Sequence, residues 1–133
     1  MTTGDPKVRA ALERDQTIDI TTTGRKTGRP RRIEIWFHRA GGRYYITGVP
    51  GSRNWYANVL ANPRFTFHLK ESARADLPAV ARPVTDPEER RQVLLAADTI
   101  WNRPNERNVD EWVRRSPLIE VVFEAASEGG RGA

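Results

Sequence analysis

A cationic turn pinned between two β-branched runs constrains this chain more than any other feature. Five cations fall within the eight residues from Arg25 to Arg32, interleaved with Gly28 and Pro30 and preceded by Gly24. Thr17 to Thr23 precedes the turn and Ile33 to Phe37 follows it, and both runs read as strands. Cations on a flexible tail would form a solvated arm. Held at both ends by strands, these point in fixed directions, which suits a bound polyanion. Residue spacing alone leaves a solvated basic hairpin open as the bland alternative.

The rest of the chain keeps the rhythm of short strands and punctuating turns. Arg31 to Arg39 alternates, with Ile33, Ile35 and Phe37 on one side and Glu34, Trp36 and His38 on the other. Gly41-Gly42 makes a hairpin into Arg43 to Val49. Ser52 is placed as the N-cap of a helix from Arg53 to Ala61, which Asn62-Pro63 ends. Phe65, Phe67 and Leu69 alternate along the next strand. Ala73 to Val84 is its hairpin partner, and Pro78 and Pro83 push it to a sheet edge. Asp86-Pro87-Glu88-Glu89 starts a helix carrying Val93, Leu94 and Ala97, extending toward Ile100 and Trp101. Asn102 to Asn108 is loop-like, Val109 to Arg114 a helical turn, and Leu118 to Glu124 a last strand. Pro6 to Arg14 is either a short helix with Val8, Ala11 and Leu12 on one side or a frayed turn. The count is about six antiparallel strands and two or three short helices. No GxGxxG follows a strand and no strand-helix crossover repeats, so the fold class is mainly β (α+β), a small barrel with helices packed on it.

Bulk properties narrow the chemistry. One domain is expected at 133 residues, with residues 1–16 as an extension and 126–133 as a disordered Gly-rich tail. A net charge of +5 favours an anionic partner: nucleic acid, an anionic membrane or a phosphorylated small molecule. There is no cysteine, which excludes thiolate chemistry, disulfides and cysteine-held zinc. No apolar run approaches a membrane span or a signal peptide, so the expected location is cytoplasmic. His38 and His68 lack an acidic or cysteine cluster nearby, and no metal site is expected. Glu34 is expected to pair with an arginine of the turn.

Two segments carry chemistry. In the first, Gly24 and Gly28 let backbone N–H groups approach a ligand, while Arg25, Lys26, Arg29 and Arg31 offer charge-assisted hydrogen bonds. In the second, Gly48 to Trp55 runs from a strand into a helix and leaves backbone donors near Ser52. There Ser52 is either only a cap or a functional donor, and Trp55 is read as core. Trp101 and Trp112 are expected at a pocket edge.

The segment Thr21-Thr22-Thr23-Gly24-Arg25-Lys26-Thr27-Gly28-Arg29-Pro30-Arg31, followed by Trp55-Tyr56-x-Asn58-x-Leu60-x-Asn62-Pro63, closely resembles the deazaflavin-dependent nitroreductase family. Its members are actinobacterial-type split β-barrel oxidoreductases that use coenzyme F420. The likeness runs from residue 17 to about 124 and implies a split β-barrel cofactor-binding domain over 17–125. The implied cofactor joins a flat deazaflavin ring to a phosphodiester and an oligoglutamate tail. By the resemblance, Arg25, Lys26 and Arg31 hold the phosphate, Thr27 is a further cofactor-binding residue, and Thr47, Gly48, Ser52, Asn54 and Trp55 contact the ring. The implied reaction is hydride transfer from reduced F420 to a nitro, quinone or enone electrophile, with Ser52 or nearby backbone donors stabilising the oxygen that gains charge. The chain departs from the family where Glu34 replaces a common threonine and where Trp101 to Trp112 replaces a tyrosine-rich segment. The alternatives are an FMN-binding split barrel, a non-catalytic cofactor carrier, or a basic nucleic-acid-binding domain, the last disfavoured. A monomer or a homodimer is expected.

Overall fold

Alternating burial sets the sheet. In β1 (Thr17–Thr23), Ile18, Ile20 and Thr22 are buried and their neighbours are not, as a pleated strand with one core face requires. The computed structural model describes residues 2–97 and 104–124. β2 (Pro30–Trp36) pairs antiparallel with β1, with Thr23 opposite Pro30 and Thr17 opposite Trp36. The remaining strands are β3 (His38–Ala40), β4 (Arg43–Thr47), β5 (Arg64–Leu69), β6 (Ala75–Pro83) and β7 (Leu118–Phe123). They form one antiparallel sheet in the order β2-β1-β5-β6-β7-β4-β3. β2 and β3 are consecutive in the chain yet lie at opposite ends of the sheet. The sheet therefore curls back on itself as a half-barrel.

The expected single strand from Arg31 to Arg39 is broken at Phe37, which gives seven described strands where about six were expected. Phe37 is fully buried and packs edge-on against Phe67 at 5.1 Å. Its N–H donates to the Gln16 carbonyl at 3.0 Å instead of to a neighbouring strand. The β3–β4 hairpin turns at Gly41 and Gly42, both with positive φ (57° and 76°), the conformation a tight primed turn needs.

β6 is not an edge strand. It lies between β5 and β7, so the expectation drawn from its prolines is corrected. Pro83 closes the strand, and the Pro78 carbonyl still accepts from the Glu124 N–H at 3.0 Å. The lost donors fall where the ladder tolerates them.

Four helices occupy the described residues, one or two more than expected: α1 (Pro6–Arg14), α2 (Asn54–Ala61), α3 (Pro87–Ala96) and α4 (Val109–Arg115). α1 is a capped helix, with the Asp5 carboxylate accepting from the Lys7 N–H, and it buries Val8, Ala11 and Leu12. Asp86 caps α3 by accepting from the Glu89 N–H at 2.9 Å, with Pro87 in the first turn. The core has two parts. The larger fills the barrel with Ile18, Ile20, Phe37, Phe67, Leu77 and Ile119, and also takes in Trp55. The smaller joins α3 and α4 to the sheet through Tyr45, Val84, Leu94, Trp112 and Leu118. Each large apolar side chain buried there contributes about 1.5–3 kcal/mol. Trp112 is only 3% exposed, so it is core and not a pocket edge. Trp101 and Ile100, and the tail from Ala126, lie outside the described residues.

Candidate functional site

The β1–β2 turn is a closed hydrogen-bonded loop. The Gly24 N–H donates to the Arg29 carbonyl and the Gly28 N–H to the Gly24 carbonyl, both at 2.8 Å. Thr27 Oγ1 accepts from the Arg29 N–H at 3.1 Å. A Cβ at Gly24 would sit 2.7 Å from Thr27 Oγ1, and Gly28 has φ 71°. Glycine is needed at the first position for close approach and at the second for its backbone angle.

α2 docks against this turn. Asn58 is 5% exposed, and its Oδ1 accepts from both the Arg25 N–H (3.1 Å) and Arg25 Nη1 (2.9 Å). Its Nδ2 donates to Thr22 Oγ1 at 3.3 Å. Asn54 Oδ1 adds a longer contact to Arg25 Nη2 at 3.4 Å. A buried carboxamide thus fixes both the backbone and the side chain of Arg25.

A cleft of about 390 Å³ opens here, lined on the turn side by Thr22, Gly24, Arg25, Lys26 and Thr27. Arg31 and Ile33 from β2 and Asn54, Trp55 and Asn58 from α2 complete it. No carboxylate lines it. Lys26 and Arg31 are exposed and make no ion pair among the described residues. The Lys26 and Thr27 N–H groups likewise have no acceptor among the described residues. Three cations and two free backbone donors therefore converge beside Ile33 and the Trp55 indole. That arrangement can hold a phosphate-like anion and place a flat ring next to it.

Six expected site residues line this cleft: Arg25, Lys26, Thr27, Arg31, Asn54 and Trp55. Three do not. Thr47 is buried and donates through Oγ1 to the Pro117 carbonyl at 2.5 Å. Gly48 lies against Pro117 and the Arg53 guanidinium. Ser52 is exposed and is not the α2 cap: the cap position is Arg53, with no side-chain capping bond. Arg53 folds back over the loop instead, donating to the carbonyls of Ser52 (3.0 Å) and Val49 (3.1 Å). That folded guanidinium braces the loop in place of a capped helix start.

Sequence reasoning missed Asn58 and Thr22 as parts of the site. The signal for Asn58 was present in the Trp-Tyr-x-Asn motif. It also assigned Glu34 the wrong partner. Glu34 pairs with Lys70 at 2.5 Å, and Lys70 also reaches Asp19 at 2.7 Å, while Arg32 holds Asp19 from the other side at 2.9 Å. These groups form a charge ladder on the outer face of the barrel. The Lys70 hydrogen bond holds the Asp19 carboxyl below its ordinary pKa, and Asp19 in turn raises Lys70. His68, buried on that same face, hydrogen-bonds Thr21 Oγ1 through Nε2 and Asp76 through Nδ1, each at 2.7 Å. That contact lowers the Asp76 pKa. Among the described residues no His, Cys, Asp or Glu group is arranged to hold a metal ion, and no helix is long and apolar enough to cross a membrane.

Comparison with known proteins gives a consistent picture. A family model described as F420H(2)-dependent quinone reductase matches residues 2–124. The Mycobacterium tuberculosis protein named F420H(2)-dependent quinone reductase Rv1261c is 31% identical over 113 residues, covering 77% of this chain and 68% of that protein. Among solved structures, Mycobacterium tuberculosis Rv2991 superposes with a TM-score of 0.68 at 16% identity, covering 90% of this chain and 80% of the other. A structure titled F420 Reductase superposes with a TM-score of 0.60 at 21% identity, covering 88% and 93%. These structural likenesses establish the split-barrel fold.

Proposed function

The chain belongs to the F420H(2)-dependent quinone reductase family, and from that premise we propose that its basic cleft holds coenzyme F420 and serves hydride transfer to a quinone-type acceptor. The observation that carries this reading is an acid-free cleft where oriented cations meet an indole. The residues fit the cofactor. Arg25, Lys26 and Arg31 offer charge to its phosphodiester, and the Lys26 and Thr27 N–H groups offer neutral donors to the same oxygens. Trp55 and Ile33 supply apolar surface for the ring. At about 390 Å³ the cleft falls in the range of small-molecule sites.

When bound in reduced form, the deazaflavin supplies a hydride, with carbon where a flavin has its reactive nitrogen. The chain's residues do the positioning. Asn58 holds Arg25 in place before any ligand arrives, so less side-chain freedom is lost on binding. Trp55, 7% exposed and edge-on to Tyr56 at 5.6 Å, forms a fixed wall that excludes water from one side of the cleft. Outside the cleft lining, the exposed Ser52 hydroxyl and the Ser52 N–H are the proposed donors to the acceptor oxygen as it gains charge, while Thr47, Gly48 and the hydrogen bond from the Gly51 N–H to the Arg115 carbonyl (3.1 Å) fix where that loop runs. Water can supply the final proton, so the reaction requires no dedicated acid.

The test is turnover. Purified protein mixed with reduced F420 and a quinone should restore the absorbance of the oxidised deazaflavin in proportion to enzyme. A protein that binds F420 and leaves it reduced would be a carrier, and the catalytic half of the reading would be wrong.

A further inference from the structure

A second cavity, of about 410 Å³, opens between Tyr56, the start of α3 and the junction of α4 with β7. It shares no lining residue with the basic cleft. Its charge is one-sided: Arg90, Arg114 and Arg115 line it and no carboxylate does. Arg90 is the unusual member. It is only 7% exposed, and its guanidinium donates to the carbonyls of Val84 (2.7 Å), Val113 (2.5 Å) and Ser116. No carboxylate pairs with it among the described residues. Two of these carbonyls belong to the C-terminal end of α4, where the helix dipole favours a cation, so the guanidinium is hydrogen-bonded but meets no full negative charge. Arg114 makes no salt bridge among the described residues, and its charge reaches Asp110 only at a distance. Arg115 is tied loosely to Glu111 at the surface, at 3.0 Å. Ser116 adds an independent observation. It lines the same cavity, is 3% exposed, and carries the one buried side-chain polar atom without a partner among the described residues.

Apolar surface completes the cavity: Val84, Val113, Pro87 and the Tyr56 ring. We propose that it binds a small organic carboxylate. The acid group is received by Arg114 and Arg115, with the hydrogen-bonded but carboxylate-free Arg90 behind them adding positive charge. The carbon body lies on Tyr56, Val84 and Val113. A guanidinium fork matches both oxygens of a carboxylate, and the apolar walls favour an acid with a carbon body over a bare anion. The site goes beyond the proposed cofactor cleft and needs no F420 to be tested.

The full chain is titrated by calorimetry with benzoate and, separately, with inorganic phosphate. Saturable benzoate binding is expected, with phosphate weaker. Arg114→Gln with Arg115→Gln should weaken benzoate at least tenfold with an unfolding curve like that of the parent, and Arg25→Gln should leave it unchanged. Should the double variant fail to fold, Arg114→Gln alone carries the test, since that side chain has no salt bridge to lose. Absence of saturable benzoate binding would overturn the proposal. So would an equal loss in Arg25→Gln, no loss in the Arg114 variants, or phosphate binding as tight as benzoate.

Discussion

Asn58 is the point at which one substitution separates positioning from folding. Asn58→Ala removes the acceptor for two Arg25 donors, one of them charged, and the donor to Thr22. A hydrogen bond to a charged group contributes about 1.5–3 kcal/mol and a neutral one about 0.5–1.5 kcal/mol. Arg25 is exposed on its other side, and solvent screening reduces the first figure. A stability loss of about 1–3 kcal/mol is expected, read from denaturant unfolding. The effect on the cofactor is distinct. A freed Arg25 must be ordered on binding, at about 0.5–1.5 kcal/mol for one long side chain, which weakens F420 about threefold to tenfold. The deazaflavin riboside without phosphodiester or tail never calls on Arg25, so its affinity should not change. Fluorescence titration with both ligands makes the comparison. Equal weakening of both would mean that Asn58 supports the helix in general. No weakening of F420 would refute the positioning argument outright.

Further outcomes follow from the same geometry. Gly24→Ala places a methyl 2.7 Å from Thr27 Oγ1 and 3.3 Å from the Arg29 carbonyl; overpacking of this kind costs about 1–3 kcal/mol, and a thermal melt should show it together with weaker F420 binding. Ser52→Ala should lower kcat about a hundredfold to a thousandfold with F420 affinity intact, and an unchanged kcat in steady-state turnover would rule Ser52 out as the donor. Asp19, Asp76 and Glu71 have folded pKa values below their ordinary ones, because Lys70, His68 and the Gln16 and Thr17 N–H groups respectively favour their charged forms. A carboxylate shifted that way stabilises the fold above its unfolded pKa and loses the contribution as pH falls through the folded one. Stability should therefore be level near neutrality and drop below about pH 4; Asp19→Asn should flatten that drop, and an unaltered acid limb would count against the charge ladder.

The parts legible in the sequence were those whose cause is local. The glycines of the β1–β2 turn, the Gly41-Gly42 hairpin, the Asp86 cap and the Asn62-Pro63 stop each act within a few residues, and each appears where the chain implied it. What the sequence hid depends on distant partners. Asn58 acts on Arg25 from 33 positions away, and His68 meets Thr21 from 47 away. Proline composition placed β6 at an edge, whereas its position in the middle follows from β7 returning beside it. The break at Phe37 arises because the barrel must curl, and alternation alone reads straight through it. The basic half of the cleft was legible for the same reason as the turn. Ser52 was misread as a cap because Arg53, folded back on its own loop, takes over the bracing.

The most direct test of the account is a parallel titration of the chain with F420 and with FMN, for the parent and for Arg25→Ala with Lys26→Ala. One saturating F420 site is expected in the parent, with weaker FMN binding and at least a hundredfold loss of F420 affinity in the double variant from two charge-assisted contacts of about 1.5–3 kcal/mol each. Undiminished F420 affinity in that variant, or FMN binding tighter than F420, would contradict the proposed cofactor site.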